Sequence, residues 1–177
     1  MSRWVQVRQM HGKLPTFGQR TAEVTLADLE RGEVQTALAE LEMGARPGGK
    51  YRVARMEVVY DDSVTGRTET VAADAIVDFT TDANLVASGA NELVLRELEV
   101  AEASRSLEKT VMGMRTQQVS QTEALRELEK TRMLLLDQGK TAQAGDIQAA
   151  IDQIRQGGGA EKTLVGTIIN LDRGKQK

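Results

Sequence analysis

The sequence predicts an α+β protein, in which an N-terminal antiparallel β-sandwich is followed by a C-terminal helical segment made of a long helix and a helical hairpin. Apolar residues alternate with period two before position 80 and recur at helical spacing after position 90. Glycine and proline turns in the first part give way to leucine, glutamate and arginine in the second. We expect the sandwich in residues 1–80, the helical segment in 81–157, and in 158–177 a tail that packs on the helices or is partly disordered.

The clearest local prediction is a β-hairpin formed by residues 52–61 and 68–79. Period-two alternation in both stretches is typical of strands with one buried face. The alternating apolar residues are Ala54, Met56, Val58 and Tyr60 in the first strand and Val71, Ala73, Ala75, Val77 and Phe79 in the second. Residues 61–67 between them are polar and include Gly66, which readily adopts the positive φ angle of a tight turn.

Three further stretches upstream are strand candidates, residues 3–8, 21–26 and 34–43. Apolar side chains recur on one face in the second and third of these, although alanine and glutamate lower the strand propensity of the third. Together with the hairpin they give about five strands with short connections, which is typical of a sandwich or a half-barrel.

The second part of the chain begins with a long helix. Asn91 is suited to cap its N-terminus, and the helical pattern continues to Arg115. The apolar residues expected on one face are Val100, Ala103, Leu107, Val111 and Met114. Side chains three and four positions apart lie on the same side of a helix, so this face should be buried.

Two shorter helices follow and are expected to form a helical hairpin. Ser120 and Glu123 have the spacing of a capping box, and Gly139 is suited to end the helix that they begin. The next helix should span residues 141–156, with a buried face of Ile147, Ala150, Ile151 and Ile154. A connection of about two residues requires the two helices to pack antiparallel. In residues 162–174 the pattern fits a helix and a strand equally, and both alternatives stay open.

Composition narrows the range of functions. The chain contains no cysteine, which excludes a disulfide framework, a thiol nucleophile, an iron–sulfur cluster and a thiolate zinc site. Its one histidine, His11, lies in a segment rich in turn residues, and we expect it in a solvated loop. A single imidazole cannot build a multi-histidine metal centre. We therefore predict no catalytic residue, no metal site and no cofactor.

The charge pattern bears on partners and location. The chain has 26 acidic and 23 basic residues, a net charge of −3, with the two signs interleaved. No basic face is available to a phosphate backbone, so nucleic acid is not an expected partner. No segment approaches the roughly 20 apolar residues that cross a bilayer, and the first residues lack the apolar run of a signal peptide. These features predict a soluble, cytoplasmic protein without membrane insertion.

Two short motifs match parts of ligand-binding signatures, but their context argues against both. Asp61, Ser63 and Thr65 have the spacing of magnesium ligands in a metal-ion-dependent adhesion site. They lie in a predicted hairpin turn, whereas such a site follows a buried strand and opens a helix. The Gly-Lys-Thr sequence at residues 139–141 matches the end of a phosphate-binding loop, but a helix rather than a strand precedes it. We interpret the first as a hairpin tip and the second as a helix end followed by a helix start.

Three methionines lie in the predicted helices, Met112 and Met114 in the long helix and Met133 in the next. Their flexible thioether side chains can form an adaptable groove for a partner helix. Alternatively, they fill the core where the helices meet, as most methionines on apolar helix faces do. Core filling is the favoured interpretation.

Several runs of residues together resemble one segment of a known protein family. They are residues 24–33, 51–54, 60–62, 77–82, 101–103, 111–118, 161–167 and 170–172. Through these runs the chain resembles the C-terminal region of bacterial von Willebrand factor type A domain proteins, the part that follows the type A domain itself. The resemblance covers nearly the whole chain, and its motifs are structural rather than catalytic.

The resemblance implies a role as well as a fold. In such proteins the metal site lies in the type A domain, which is missing here, so no metal ligand is carried over. It implies a C-terminal part, excised or stand-alone, that acts as a non-catalytic protein-interaction or scaffolding module with a protein partner. The candidate contact residues are Trp4, Tyr51, Asp62, Met112 and Met114.

The sequence leaves two alternative functions open. The first is a purely structural spacer that positions the missing type A domain. The second is an enzyme, which would require a polar pocket with perturbed titrating groups.

In related architectures the type A domain is inserted between strands of the sandwich, so this chain is expected to lack a strand and to expose a sheet edge. We expect that edge to pair with a second copy and form a homodimer.

Overall fold

The computed structural model describes the chain except for residues 31, 33, 173, 174 and 177, and of residues 175 and 176 it describes only the backbone. Residues 31 and 33, which belong to the first run of the family resemblance, therefore lie outside the described part. The described residues form a mixed structure of small antiparallel sheets and five helices. The predicted α+β class is confirmed.

The chain divides into two compact units, and each is assembled from three separate segments. The unit that contains most strand residues, here called the strand unit, comprises Met1–Gln9, Pro15–Glu23 and Ala39–Ala90. The second, here called the helical unit, comprises Met10–Leu14, Val24–Leu38 and Asn91–Lys177. The domain boundaries proposed from the sequence, after residues 80 and 157, stay a prediction.

The described strands pair two by two. They are β1 (Val5–His11), β2 (Thr16–Phe17), β3 (Ala22–Glu23), β4 (Val34–Gln35), β5 (Leu38–Met43), β6 (Gly49–Asp62), β7 (Arg67–Phe79) and β8 (Lys175–Gln176). The pairs are β1 with β5, β2 with β3, β4 with β8, and β6 with β7. The single strand predicted over residues 34–43 is divided into β4 and β5, and that predicted over 21–26 shrinks to β3. This pairing does not confirm the sandwich.

The hairpin of β6 and β7 confirms the clearest sequence prediction. Its register runs without a break from Asp62 opposite Arg67 to Ala54 opposite Ala75, and resumes at Arg52 opposite Ile76. The residue between, Val53, is a bulge. An extra residue reverses the alternation of a strand, so the bulge keeps the apolar residues on both sides of it on one face of the hairpin.

Five helices follow the hairpin in the described part of the chain. They are α1 (Ala83–Ser88), α2 (Glu92–Arg115), α3 (Gln121–Asp137), α4 (Thr141–Arg155) and α5 (Glu161–Asp172). The Asn91 side chain accepts hydrogen bonds from the first-turn amides of α2, and Ser120 with Glu123 forms the predicted capping box of α3. The short helix α1, capped by Asp82, was not predicted.

The Gly-Lys-Thr sequence is a helix end followed by a helix start, as interpreted from its context. Gly139 adopts φ +73°, a left-handed conformation that glycine takes at little cost. Its amide donates to the Leu136 carbonyl and the Lys140 amide donates to the Leu135 carbonyl, which together form a Schellman motif. Helix α4 then begins at Thr141.

The core of the helical unit lies between α2, α3, α4 and α5. Helix α2 packs on α3 and α5, and α4 also packs on α3 and α5, so each helix has two neighbours. The buried apolar residues include Val100, Ala103, Leu107, Val111, Leu128, Leu135, Ile147, Ala150, Ile151, Ile154, Leu164 and Ile168. The predicted buried faces of α2 and α4 are confirmed. Of the two alternatives for residues 162–174, helix and strand, the structure has a helix as far as Asp172. Residues 173 and 174 lie outside the described part.

Three helical glycines lead to a prediction about stability. Around Gly145 in α4 and Gly166 in α5 there is open space where a methyl group would lie, whereas at Gly113 in α2 a methyl group would collide with the Val119 side chain. We expect Gly145→Ala and Gly166→Ala each to raise the free energy of unfolding by about 1 kcal/mol, the helix preference of alanine over glycine. Gly113→Ala should lower it, since Val119 must move. Urea unfolding of the three variants checks this, and stabilisation by Gly113→Ala would contradict it.

Candidate interaction surface

Three aromatic rings meet at the base of the hairpin, those of Trp4, Tyr51 and Phe79. Their centroids lie 5.6 to 5.8 Å apart, and the ring planes are inclined by 70 to 89°. This edge-to-face arrangement is favourable for aromatic pairs. The Arg46 guanidinium lies 4.9 Å from the centroid of the Trp4 ring, within the range of a cation–π interaction.

The aromatic cluster accounts for two of the predicted contact residues. Trp4 and Tyr51 are half-buried and contact each other, so the structure brings them together. Their rings hold the start of β1 against the open end of the hairpin, where Ser2 also donates from its amide to the Val53 carbonyl. The geometry gives the cluster a bracing role and leaves the ring edges partly accessible.

Beyond the cluster, the apolar face of the hairpin is exposed. Val58 and Val71 lie opposite each other in the register and are 46% and 57% exposed. Met56 and Tyr60, the neighbours of Val58 on the same face, are exposed as well. A half-covered apolar strip of this kind on a two-stranded sheet marks a surface suited to binding another chain.

The opposite face of the same hairpin also carries apolar side chains. Val59 is 63% exposed, and Ile76 near the base is exposed too. Between them Arg55 donates from Nε to the Glu57 carboxylate at 2.9 Å. Val59 and Ile76 were not among the predicted contact residues, although one sequence signal points to Val59: Val58 and Val59 are adjacent in a strand and cannot both face one core.

The hairpin has open edges as well as open faces. In the described part of the chain, β6 and β7 form strand hydrogen bonds only with each other. Beyond the base of β6, where Ser2 donates to the Val53 and Arg52 carbonyls, no other described strand covers the outer edges, and such edges attract an additional strand. The predicted exposed sheet edge is present.

The hairpin tip contains Asp62, another predicted contact residue. The Asp62 carboxylate accepts hydrogen bonds from the Val64 amide at 2.8 Å and the Thr65 hydroxyl at 2.9 Å. Asp61 accepts from the Thr68 hydroxyl at 2.7 Å. The oxygens of both carboxylates thus stabilise the turn, and no cluster of three potential metal ligands occurs among the described residues.

These hydrogen bonds lower the pKa of Asp62 below the ordinary carboxyl value, the Val64 amide first and the Thr65 hydroxyl second. A carboxyl group with a lowered pKa in the folded state stabilises the fold above its ordinary pKa, and this contribution is lost as the pH falls through the lowered value. We expect NMR titration to show the lowered pKa. Thr65→Val should return it part of the way, while Ser63→Ala, which removes neither donor, should leave it unchanged. An unshifted Asp62 in the native protein would contradict the prediction.

The three methionines of the helical unit differ in burial. Met114 is half-buried and packs against the helical core, as core filling predicts. Met112 and Met133 are largely exposed, so for them the core-filling interpretation is wrong. Their positions on α2 and α3 point away from the side that the core occupies. Met112 is thus accessible at the surface and Met114 is half-buried, and the contact role predicted for both stays a prediction.

His11 occupies a position that the sequence analysis did not foresee. The prediction of a solvated loop residue is wrong, because β1 continues three residues beyond the predicted strand end at Arg8 and His11 is only 8% exposed. It lines a crevice of the helical unit together with Ser104 and Asp172. The crevice has a volume of about 30 Å³, room for roughly one or two water molecules.

The polar groups of this crevice fasten the end of α5. Ser104 donates from its hydroxyl to the Asp172 carboxylate at 2.7 Å, and Lys13 donates from Nζ to the Asp172 carbonyl at 2.8 Å. Burial lowers the pKa of Lys13, and the Asp172 carboxylate opposes that shift. Gly12 lies so close to the Asp172 backbone that a side chain would not fit there without movement. These contacts support a structural role.

A larger depression lies on the helical surface between α2 and α3. It has a volume of about 220 Å³ and is lined by residues that include Ala103, Glu127 and Leu134. Lys130 on its rim is paired with Glu127 at 2.7 Å.

None of the helices in the described residues is both long enough and apolar enough to cross a membrane.

No family model, no curated protein and no solved structure matches the chain. The resemblance to the C-terminal region of von Willebrand factor type A domain proteins therefore stays a prediction. The β6–β7 hairpin combines exposed apolar side chains on both faces with outer edges that no other described strand covers.

Proposed function

We propose that the chain is a non-catalytic protein-interaction module that recognises a protein partner through the β6–β7 hairpin. The observation that supports it is the exposure of apolar side chains on both faces of a strand pair whose outer edges are open. Such a hairpin offers a partner backbone hydrogen bonds along its edge and side-chain contacts on its face, which is the strand-addition mode of peptide recognition.

Three features of the strand unit support this mode. The aromatic cluster braces the base, so the hairpin meets a partner with its backbone already ordered. Asp62 fixes the turn at the other end. Between these fixed ends lies the exposed strip around Val58 and Val71.

The wider setting of the module follows the family resemblance. We propose that it acts as the C-terminal partner of a type A domain in the cytoplasm, a compartment that suits a chain without cysteine. A sandwich also belongs to the proposal, with the second sheet supplied by the bound partner and covering the face that holds Val58 and Val71. The spacer alternative differs in one respect, because it needs no contact at the hairpin.

Photo-crosslinking tests the proposal with the whole chain. A photoreactive amino acid at Val59 on the hairpin is compared with one at Val165 on α5, which is also exposed but lies in the helical unit. We expect protein adducts at position 59 in a lysate of the source organism, and their loss when Val58→Lys and Val71→Lys are introduced together. Circular dichroism confirms that the variants fold.

Three outcomes would contradict the proposal. Adducts at position 165 but none at position 59 would place the contact on the helical unit. Adducts at position 59 that persist unchanged in the Val58→Lys, Val71→Lys variant would show that the apolar face takes no part. Absence of adducts at both positions would favour the spacer.

A further inference from the structure

The outer edge of β6 is open over a defined length. At its base the edge is occupied by Ser2, which donates from its amide to the Val53 carbonyl at 3.2 Å and from its hydroxyl to the Arg52 carbonyl at 2.8 Å. Beyond the bulge, residues 54–62 continue to the turn. Among the described residues, no strand other than β7 pairs with these nine residues, so their outer edge can take another strand.

Symmetry restricts how this edge pairs with an identical one. A two-fold axis perpendicular to a sheet keeps each residue on its own face, and directly opposed residues in an antiparallel pair also share a face. Both conditions hold only when one residue of the strand lies opposite the same residue of the second copy. The choice of that central residue fixes the whole register.

Charge selects among the central residues. With Glu57 at the centre, two identical carboxylates oppose each other, and with Val59 at the centre Glu57 opposes Asp61 of the second copy. Like charges directly opposed destabilise a strand pair. With Val58 at the centre, neither of these pairs of like charges forms. Only this register pairs all nine residues from 54 to 62, because they extend equally on either side of Val58.

We propose that two copies of this chain associate by antiparallel pairing of their β6 edges, with Val58 opposite Val58. This register places Arg55 opposite Asp61 of the second copy, twice by symmetry, on the face that also carries Val59. On the other face it places Met56 opposite Tyr60, a favourable sulfur–aromatic combination. The inference rests on the proposed function and names its partner as a second copy.

The β7 edge fits a second copy less well. Residues 67–79 contain the carboxylates Glu69, Asp74 and Asp78 but only one basic residue, Arg67. Pairing two β7 edges over their full length opposes Ala73 to itself and brings six carboxylates together. It forms no pair of opposite charges across the junction, since Arg67 then faces Phe79. The charge distribution therefore favours β6.

Cysteine crosslinking tests the register directly, because the chain has no cysteine of its own. Opposed residues in an antiparallel pair have Cα atoms about 4.5 or 5.5 Å apart, within the span of a disulfide. We expect Val58→Cys to form a disulfide-linked dimer under mild oxidation. The matched control is Val71→Cys, opposite Val58 in the same hairpin and on the same face but away from the β6 edge, and it should stay monomeric. Ala73→Cys reports on the β7 edge and should also stay monomeric.

A charge exchange tests the same register without a covalent link. Sedimentation equilibrium should show a reversible dimer for the native chain. Arg55→Asp and Asp61→Arg, each alone, place like charges opposite one another twice and should weaken dimerisation roughly tenfold. The double exchange restores opposite charges and should recover most of the affinity, with circular dichroism confirming the fold of each variant.

The outcomes separate this inference from the proposed function. Crosslinking of Val71→Cys as efficient as that of Val58→Cys would indicate packing of apolar faces and overturn the edge pairing. Crosslinking at Ala73 in place of Val58 would move the junction to β7 and overturn it as well. A native chain that stays monomeric at all concentrations would overturn the homodimer, while adducts of other proteins at position 59 would leave the proposed function standing.

Discussion

Replacement of Leu135 by alanine should lower the free energy of unfolding of the helical unit by about 3 kcal/mol. Leu135 on α3 is fully buried, with 0% of its surface exposed, among the apolar side chains of the helical core. Truncation of such a side chain removes apolar surface from the core and leaves a cavity, and the loss is about 2–5 kcal/mol for buried leucines. Urea unfolding followed by circular dichroism at helical wavelengths measures the change.

The neighbouring Leu136 provides a matched control. It lies on the same helix and is 43% exposed. Both variants replace a leucine by alanine in α3, so they differ mainly in how deeply the leucine is buried. We expect a loss under about 1 kcal/mol, since less apolar surface returns to water. Equal losses in the two variants would show that the α3 face in contact with the core is assigned incorrectly.

Replacement of Trp4 by alanine should have the second large effect, a loss of about 3 kcal/mol from the strand unit. The indole takes part in two edge-to-face contacts, with Tyr51 and Phe79, and lies under the Arg46 guanidinium. Each aromatic pair contributes about 0.5–1.5 kcal/mol beyond area burial, and the cation–π contact adds about 0.5–1 kcal/mol. The buried apolar area of the ring accounts for the remainder.

Trp4→Phe separates the loss of ring contacts from a general disturbance of the N-terminus. Phenylalanine keeps an aromatic ring near Tyr51 and Phe79, so this variant should lose about half as much stability as Trp4→Ala. Hydrogen exchange at the amides of β6 and β7 gives a residue-resolved measurement. Equal losses for both substitutions, or unchanged protection of the hairpin in Trp4→Ala, would contradict the bracing role of the cluster.

The local elements that the sequence predicted well are those whose signals are short-range. The strand alternation around Gly66 and the capping residues Asn91 and Ser120 act within a few positions of one another, and the structure has each of them. The apolar spacing of α4 likewise reports the face that packs on α3 and α5. Each of these patterns is complete within one element.

Contacts between residues that are distant in the chain were harder to predict from the sequence. The bulge at Val53 and the burial of His11 depend on contacts with residues distant in the chain, Ser2 for the first and the α2 and α5 side chains for the second. No local pattern encodes them. The number of strands per sheet is also a long-range property, which is why period-two stretches predicted strands correctly but did not establish how many would pair.

The candidate surface was only partly predictable for the same reason. Trp4 and Tyr51 were selected as isolated aromatic residues, and the structure joins them with Phe79. Val59 was not predicted as a contact residue because the neighbouring Val58 already fitted the alternating apolar face that was expected to be buried. Val58 and Val59 are both exposed because no other element in the described residues covers either face of the hairpin. A single sequence does not show whether a strand is covered by a second layer.

The interleaved connectivity of the two units limits how the molecule can be dissected. The backbone passes from one unit to the other five times, at the boundaries after Gln9, Leu14, Glu23, Leu38 and Ala90. No single proteolytic cut or stop codon therefore releases either unit intact. A polypeptide that begins at residue 91, for example, would lack the ammonium group of Lys13 that caps the last turn of α5, so its folding would report on an incomplete body rather than on an independent domain.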